Sequence, residues 1–498
     1  MELKREQQIH KLSRKEKLWD IMVVGGGASG LGIALDAVSR GLSVLLVEKK
    51  DFGSGTSSKS TKLIHGGVRY LQQGNIKLVT EALKERSYIL AKAGHITNTQ
   101  EFIIPFNSIF RGLYYFIGLI LYEILAGRRN IGKAKWLRKD TVIKKLPNIK
   151  KTFLKGGILY HDGQFDDARM CIDLVKTIVQ EGGVCVNYCE LTSFLKPGGK
   201  VSGAVLFDTL NDTHYHIKAK VIVNATGVFS NDILQMDDTQ NRKMVVPSRG
   251  SHIVVDNSFI GGDTAIMIPK TTDGRILFLI PWMGSLLVGT TDIKAENAEY
   301  DPLVTSEEIK FMLDNANQYL ELAPTVGDIK SVFSGLRPLA APSGIHSKTK
   351  EISRGHQIFW TTSGICNIIG GKWTTFRKMG EDVVSDIVTR LKWDAPKSTS
   401  NNISIVNDEK ASTINGNIPG VEAIEHIINC EMVETLEDLV ARRTRMLFLD
   451  LSITTSLLIE WSEILRRVKK EDDEWKSLEI AKVEKLIKRL NQPLTQHF

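Results

Sequence analysis

The stretch Asp20-Ile21-Met22-Val23-Val24-Gly25-Gly26-Gly27-Ala28-Ser29-Gly30 joins a short β-branched run to a cluster of glycines, and Leu31, Ala34, Leu35 and Val38 follow at helical spacing. The helix ends at Arg40-Gly41, where glycine can take the left-handed cap, and a second apolar run, Ser43 to Val47, ends in Glu48. Strand, glycine turn, helix and strand make a βαβ unit. Gly25 permits the tight turn and Gly27 lets backbone approach a pyrophosphate held at the helix N-terminus. Gly30 allows helix and strand to pack closely, and Glu48 is placed to accept from a ribose hydroxyl. The acidic residue repels a 2′-phosphate, so the pattern points to an adenosine dinucleotide with a plain ribose, FAD or NAD, and leaves the two unresolved.

The chain of 498 residues is long enough for two to four domains. With 42% hydrophobic and 24% charged residues it is ordinary globular material, which excludes a largely disordered or collagen-like chain. Cys171, Cys185, Cys189, Cys366 and Cys430 are sparse, odd in number and without a CxxC pair, so the reading is buried or free thiols in a reducing compartment, with no disulfide frame and no metal site. The N-terminal 1–18 segment is basic and lacks the apolar core of a secretory signal, which sets a cytoplasmic location as the expectation. The net charge of +8 matters only if it is concentrated.

Beyond Glu48 lies a hydroxyl-rich loop and a run of further motifs: GTSSKSTKLIHGGVRYL at 55–71, GQFDDAR at 163–169, VNATGVFSNDI at 223–233, GSHIVV at 250–255, PWMGSLLVGTTD at 281–292, SGLRPL at 334–339, ISRGH at 352–356 and GGKWTTFRKMGED at 370–382. In this order and register they resemble the FAD-dependent glycerol-3-phosphate dehydrogenase family, of the aerobic type, within the wider superfamily of DAO-like flavin oxidoreductases. The resemblance implies an α/β architecture: a Rossmann-like FAD-binding domain of the DAO type, an antiparallel β-sheet substrate domain and a C-terminal helical domain. It implies non-covalent FAD, with Thr56, Ser57, Ser58 and Lys59 offering donors to the diphosphate or the flavin edge. Ala225, Thr226 and Gly227 then lie beside the cofactor, and Gly371, Lys372 and Thr374 at the flavin.

The implied reaction takes a hydride from C2 of sn-glycerol 3-phosphate to flavin and a proton from its hydroxyl, yielding dihydroxyacetone phosphate, with electrons passed on to a quinone. A small polyol with about two negative charges needs several converging cations. Arg69, Tyr70, Arg337, Arg354 and Lys372 match family positions near the substrate. Of the histidines inside matching motifs, His65 is assigned as the base and His252 as a substrate-orienting group. Arg337 and Lys372 stabilise developing negative charge. Oxygen as acceptor, an amino acid as substrate, and a non-catalytic flavoprotein scaffold are the competing readings.

The expected layout places the FAD-binding domain at 19–110, 152–244 and 340–390, and the substrate sheet at 245–339, where short apolar runs alternate with Gly, Pro and Asp turns. Gly112 to Tyr122 is an uncharged stretch of eleven residues, read as too short to cross a bilayer, and residues 127–151 carry ten Lys or Arg against Asp140 alone. Together 111–151 suit the surface of an anionic membrane. Nucleic acid is not expected, because the basic stretch lacks interleaved aromatics. Residues 397–417 read as a linker and 418–498 as helical, with Thr435 as a helix cap and 465–491 as a solvated face. Self-association as a homodimer stays open.

Overall fold

A computed structural model describes residues 2–14, 17–68, 74–341, 355–412 and 416–495. The strand Leu18–Val24 lies at the centre of a sheet, flanked in parallel by Val44–Val47 on one side and Thr213–Asn224 on the other. Val184–Val186 extends it in parallel beyond Val44–Val47, and Cys366–Gly370 extends it beyond Thr213–Asn224. Antiparallel additions close both regions: His356–Trp360 on Cys366–Gly370, and the pair Cys189–Leu195 and Gly203–Asp208 on Thr213–Asn224. The helix Ala28–Ser39 packs on this sheet with nine of its twelve residues buried, which is why it reads as apolar all round. Against it lies Phe376–Leu391, where Gly32 and Gly380 bring the two helix backbones into contact: a Cβ at Gly380 would fall 2.1 Å from the carbonyl oxygen of Gly32.

A second, ten-stranded sheet covers the first. Val245–Asp256 pairs antiparallel with Ser285–Gly289 and Ser331–Ala340, and Leu277–Trp282 and Ala265–Ile268 continue the meander, as the turn-punctuated runs predict. The expected domain boundaries need correction here. Thr97–Phe106, Gly156–Phe165, Leu63–Ile64 and Lys135–Arg138, assigned from sequence to the FAD-binding layer or the membrane segment, are strands of this second sheet. Half-buried alternation looks the same in either layer, so pattern alone does not say which sheet a strand joins.

The apolar helix is longer than the eleven uncharged residues. It runs Ile109–Ala126, through Arg111 and Glu123, about 27 Å at 1.5 Å per residue. Among the described residues it is the one helix long and apolar enough to cross a membrane by length and composition. Its buried residues, Gly112, Leu119, Tyr122 and Ala126, form one stripe that seats on the second sheet and, at Tyr122 and Ala126, on Val79 and Leu83 of the helix Ile76–Lys92, with Phe106 and Trp136 closing over Gly112. The opposite face, including Phe110 at 86% exposed, Ile117 and Ile124, meets solvent. A helix fastened along its length on one side lies across the molecule's surface rather than projecting from it.

Three further segments differ from expectation. The basic N-terminal arm contains a helix, Arg5–Leu12, and Arg5 is buried in an ion pair with Asp208 at 2.7 Å. The 397–417 linker is bonded down, with Ser400 fully buried and donating to Asp36 at 2.9 Å. Thr435 does accept from Asp438 N at 3.2 Å, but the turn it caps, Asp438–Arg443, is a π-helix that delivers Arg442 and Arg443 to buried Asp51, at 2.5 and 2.6 Å. Glu431 is held likewise by Arg169 and Lys176, each at 2.8 Å. This ionic seam fastens the helices after 418 to the nucleotide layer three residues from Glu48. The 465–491 stretch spans two helices, Leu451–Lys469 and Asp473–Thr495, and is not wholly solvated, since Glu479 is buried and accepts from Leu436 N at 2.9 Å. All five cysteines are buried and free.

Candidate active site

A continuous cleft of ≈ 590 Å³ lies between the two sheets. One end is formed by the glycine turn. Gly25 has φ +111, and a Cβ there would fall 2.6 Å from the Ala225 carbonyl oxygen. Gly30 lies behind the lining and does what its place in the motif predicts: a Cβ there would fall 1.9 Å from Gly25 O. Gly27 faces the cleft. Glu48 accepts from Gly26 N at 2.7 Å and Lys50 N at 3.0 Å, which fixes its carboxylate at the cleft wall, and burial raises its pKa. A carboxylate has about four acceptor sites, so capacity remains for a ribose hydroxyl.

The hydroxyl loop meets this end from the side. Ser57 Oγ accepts from Ala28 N, the first residue of the helix, at 2.9 Å, and keeps its own O–H as a donor. Thr56 lines the cleft, but its hydroxyl donates to Leu336 O at 2.5 Å and ties the loop to the second sheet. Two expectations are corrected here. Ser58 is fully buried and outside the cleft lining, its hydroxyl without a protein partner. Lys59 lines the cleft, yet its ammonium is held by Asp301 at 2.6 Å, by Ser54 O at 3.2 Å and by Tyr300 O. Three acceptors on three donors make Lys59 a clasp for the 300–301 loop, with no donor left for a diphosphate. Ala225, Thr226 and Gly227 line the opposite wall, as do Gly371, Lys372 and Thr374. Gly370 and Gly371 take φ of 76 and 89, and Trp373 Nε1 donates to Ser57 O at 2.7 Å, closing the two cofactor loops on each other.

At the far end the cleft gathers His65, His252, Arg337 and Lys372 from four separate segments. Arg337 donates to Thr291 O at 3.1 Å and Thr290 Oγ1 at 3.0 Å, with Asp292 at 3.6 Å. Gly250 makes room for it, because a Cβ there would lie 2.3 Å from a guanidinium nitrogen. His252 is buried, stacked on Phe333 with centroids 4.9 Å apart, and its Nε2 is 3.0 Å from Thr61 Oγ1. Burial first, then the charges of Arg337 and Lys62, hold its pKa well below the usual imidazole value. His252 is therefore neutral at pH 7. His65 follows the short strand Leu63–Ile64, and its carbonyl accepts from Thr374 Oγ1 at 3.4 Å. Arg69, Tyr70 and Arg354 lie outside the described residues.

Five residues that the sequence does not single out take part. Lys62, fully buried, pairs with Asp167 at 2.7 Å behind the hydroxyl loop. Tyr300 and the Asp301 that holds Lys59 come from a segment outside every motif, and Tyr300 lines the cleft. Asp162 lines the cleft at its substrate end. Lys62 and Asp167 sit inside the motifs at 55–71 and 163–169, but among hydroxyl and acidic neighbours that give no sign of burial; nothing local marks Tyr300.

A turn that only glycine fits, a ribose-ready carboxylate and two converging loops define a cleft suited to FAD. The chain matches the family described as FAD dependent oxidoreductase over residues 20–377 and belongs to it. Within that class, similar proteins include glycerol-3-phosphate dehydrogenases. It is 37% identical over 427 residues to the mitochondrial glycerol-3-phosphate dehydrogenase of Saccharomyces cerevisiae, covering 78% of this chain and 66% of that protein. It is 39% identical over 399 residues to the Bos taurus protein of the same name, covering 77% of this chain and 54% of that one. The chain thus spans between half and two thirds of the length of these curated relatives. The structure of the glycerol-3-phosphate dehydrogenase of Bacillus halodurans, complexed with FAD, superposes with a TM-score of 0.80 at 29% identity, covering 99% of both chains.

Proposed function

We propose that this chain oxidises sn-glycerol 3-phosphate to dihydroxyacetone phosphate and passes the electrons to a quinone at a membrane surface. The observation that carries the reading is a single cleft that starts at the glycine turn and Glu48 and ends among Arg337, Lys372, His65 and His252. Two fixed cations at that end suit a phosphorylated alcohol, with Arg69, Tyr70 and Arg354 assigned to the same pocket by their motifs. His65 takes the proton of the C2 hydroxyl, and Arg337 and Lys372 steady the negative charge that develops on the oxygen. His252, neutral and anchored through Thr61, offers a hydrogen bond without adding charge, which suits orientation better than proton abstraction. Bound FAD supplies the hydride acceptor.

The acceptor reading draws on the outer wall. Phe102, Tyr160, Met267 and Phe278 give the substrate end an apolar side, and Phe102 and Tyr160 belong to the two strands on which the helix Ile109–Ala126 rests, its Tyr122 hydrogen-bonded to Asp162 two residues beyond Tyr160. That helix presents Ile109, Phe110, Leu113, Tyr114, Ile117 and Ile124 to solvent, and exposed Arg128, Arg129, Lys133, Lys135, Arg138 and Lys139 follow it. An apolar face beside a basic belt fits a protein lying on an anionic leaflet, on the cytoplasmic side, at about 1 kcal/mol per basic residue near the surface. In steady-state assays, turnover of sn-glycerol 3-phosphate with a soluble quinone analogue and little peroxide in air is expected. Stoichiometric peroxide would make oxygen the acceptor, and turnover of amino acids instead would overturn the substrate. Pelleting with anionic vesicles at low salt and release at high salt checks the membrane surface, and sedimentation of the same protein reports whether it is a homodimer.

A further inference from the structure

We propose that Asp162, together with Arg86 and Tyr122, is the positioning group for His65, so that the helix Ile109–Ala126 helps set the geometry of the active site. The proposal rests on the reading of His65 as the base. Asp162 is buried on the strand Gly156–Phe165 and lines the substrate end of the cleft. Its Oδ1 accepts from Gly66 N at 3.3 Å, from Gly163 N at 3.2 Å and from Arg86 Nη1 at 2.9 Å, and its Oδ2 accepts from Tyr122 O–H at 3.1 Å. Gly66 is the residue after His65. The His65–Gly66 peptide is thus gripped from both ends: Thr374 of the flavin loop donates to the His65 carbonyl, and Asp162 takes the Gly66 N–H.

The fit leaves no slack. A Cβ at Gly66 would lie 2.2 Å from the Tyr122 hydroxyl and 2.5 Å from Leu83. Arg86 is fully buried and reaches from the helix Ile76–Lys92 to Asp162, while its Nη2 donates to Arg129 O at 3.3 Å, just past the end of the apolar helix. Two helices and a strand therefore converge on one peptide through one carboxylate. A surface-lying ion pair would tolerate loss of a member, but a buried carboxylate that holds four donors transmits it. Because the loop carries the base, a displacement of about 1 Å is enough to cost on the order of 100-fold in rate.

The test uses the flavin-loaded full chain with substitutions Asp162→Asn, Tyr122→Phe, His65→Asn and the pairwise combinations. Asp162→Asn is expected to lower kcat by about 10- to 100-fold, and Tyr122→Phe, which removes one hydrogen bond, by about 3- to 10-fold, both with KM for sn-glycerol 3-phosphate and FAD content little changed. Tyr122→Phe leaves the outer face of the helix intact, so vesicle binding stays at the wild-type level. In the His65→Asn background neither change should lower kcat further, because both act through His65. Wild-type kcat in both single variants, or full additivity with His65→Asn, would overturn the proposal. Should Asp162→Asn fail to fold, Tyr122→Phe carries the test alone. A wild-type rate for His65→Asn itself would instead remove the base assignment, an outcome the single variants cannot mimic.

Discussion

At the adenosine end of the cleft the decisive contacts come from within one βαβ unit, between Gly25 and Glu48, whereas the substrate end draws His65, His252, Arg337 and Lys372 from segments scattered from residue 65 to residue 372. The first end is made chiefly by backbone: a turn at positive φ, a helix start, and glycines whose Cβ atoms would collide with carbonyl oxygens. The second is made by side chains held by other side chains, as Arg337 is by Thr290 and His252 by Thr61. Backbone sites are specified by local spacing and fail through steric intrusion. Side-chain sites are specified by tertiary assembly and fail through lost charge or lost aim.

Substitutions that strike the two ends differently sharpen this contrast. The largest effect is expected for His65→Asn, a fall in kcat of about 10²- to 10⁴-fold with flavin still bound, read by rapid mixing and by absorbance of the retained FAD. Next comes Arg337→Ala, where loss of a charge-assisted contact worth about 1.5–3 kcal/mol should lower kcat/KM for sn-glycerol 3-phosphate by about 10- to 100-fold, again without flavin loss. Gly30→Ala should do the reverse: overpacking costing about 1–3 kcal/mol against Gly25 O weakens FAD binding by about 10- to 100-fold, measured by equilibrium dialysis, while reloaded enzyme keeps a near-normal KM. The smallest effect is expected at Ser58→Ala, within about 0.5 kcal/mol in FAD affinity, because Ser58 is buried outside the cleft lining and its hydroxyl bonds no other group of the protein. A tenfold loss there would return Ser58 to the cofactor site and blur the distinction between the ends.

The same contrast explains what could be read from the sequence. Gly25, Gly27, Gly30 and Glu48 declare themselves because strand, turn, helix and a terminal acid at that spacing specify a dinucleotide site, while leaving FAD and NAD unresolved. His252, Arg337 and Lys372 were visible only as members of motifs, since nothing in a 12-residue strand says that His252 and Arg337 will share a cleft. Lys59 and Ser58 were misjudged because a donor in a hydroxyl-rich loop can face inward, outward or toward another loop with equal ease. Asp301, which captures Lys59, is 242 residues away. Thr97–Phe106 and Gly156–Phe165 were placed in the wrong layer for a related reason: their partners, each other and Ala265–Ile268, are a tertiary choice. The apolar helix was cut short at its charged residues, although Arg111 lies on its solvent side and Glu123 reaches the Ala134 N–H.

The most direct measurement is anaerobic addition of sn-glycerol 3-phosphate to the FAD-loaded protein while the visible flavin absorbance is followed, with unphosphorylated glycerol as the control. Rapid and complete bleaching by the phosphorylated alcohol, none by glycerol, and recovery on adding a quinone analogue are expected. A flavin that stays oxidised in the presence of sn-glycerol 3-phosphate, or that glycerol bleaches equally well, would contradict the account.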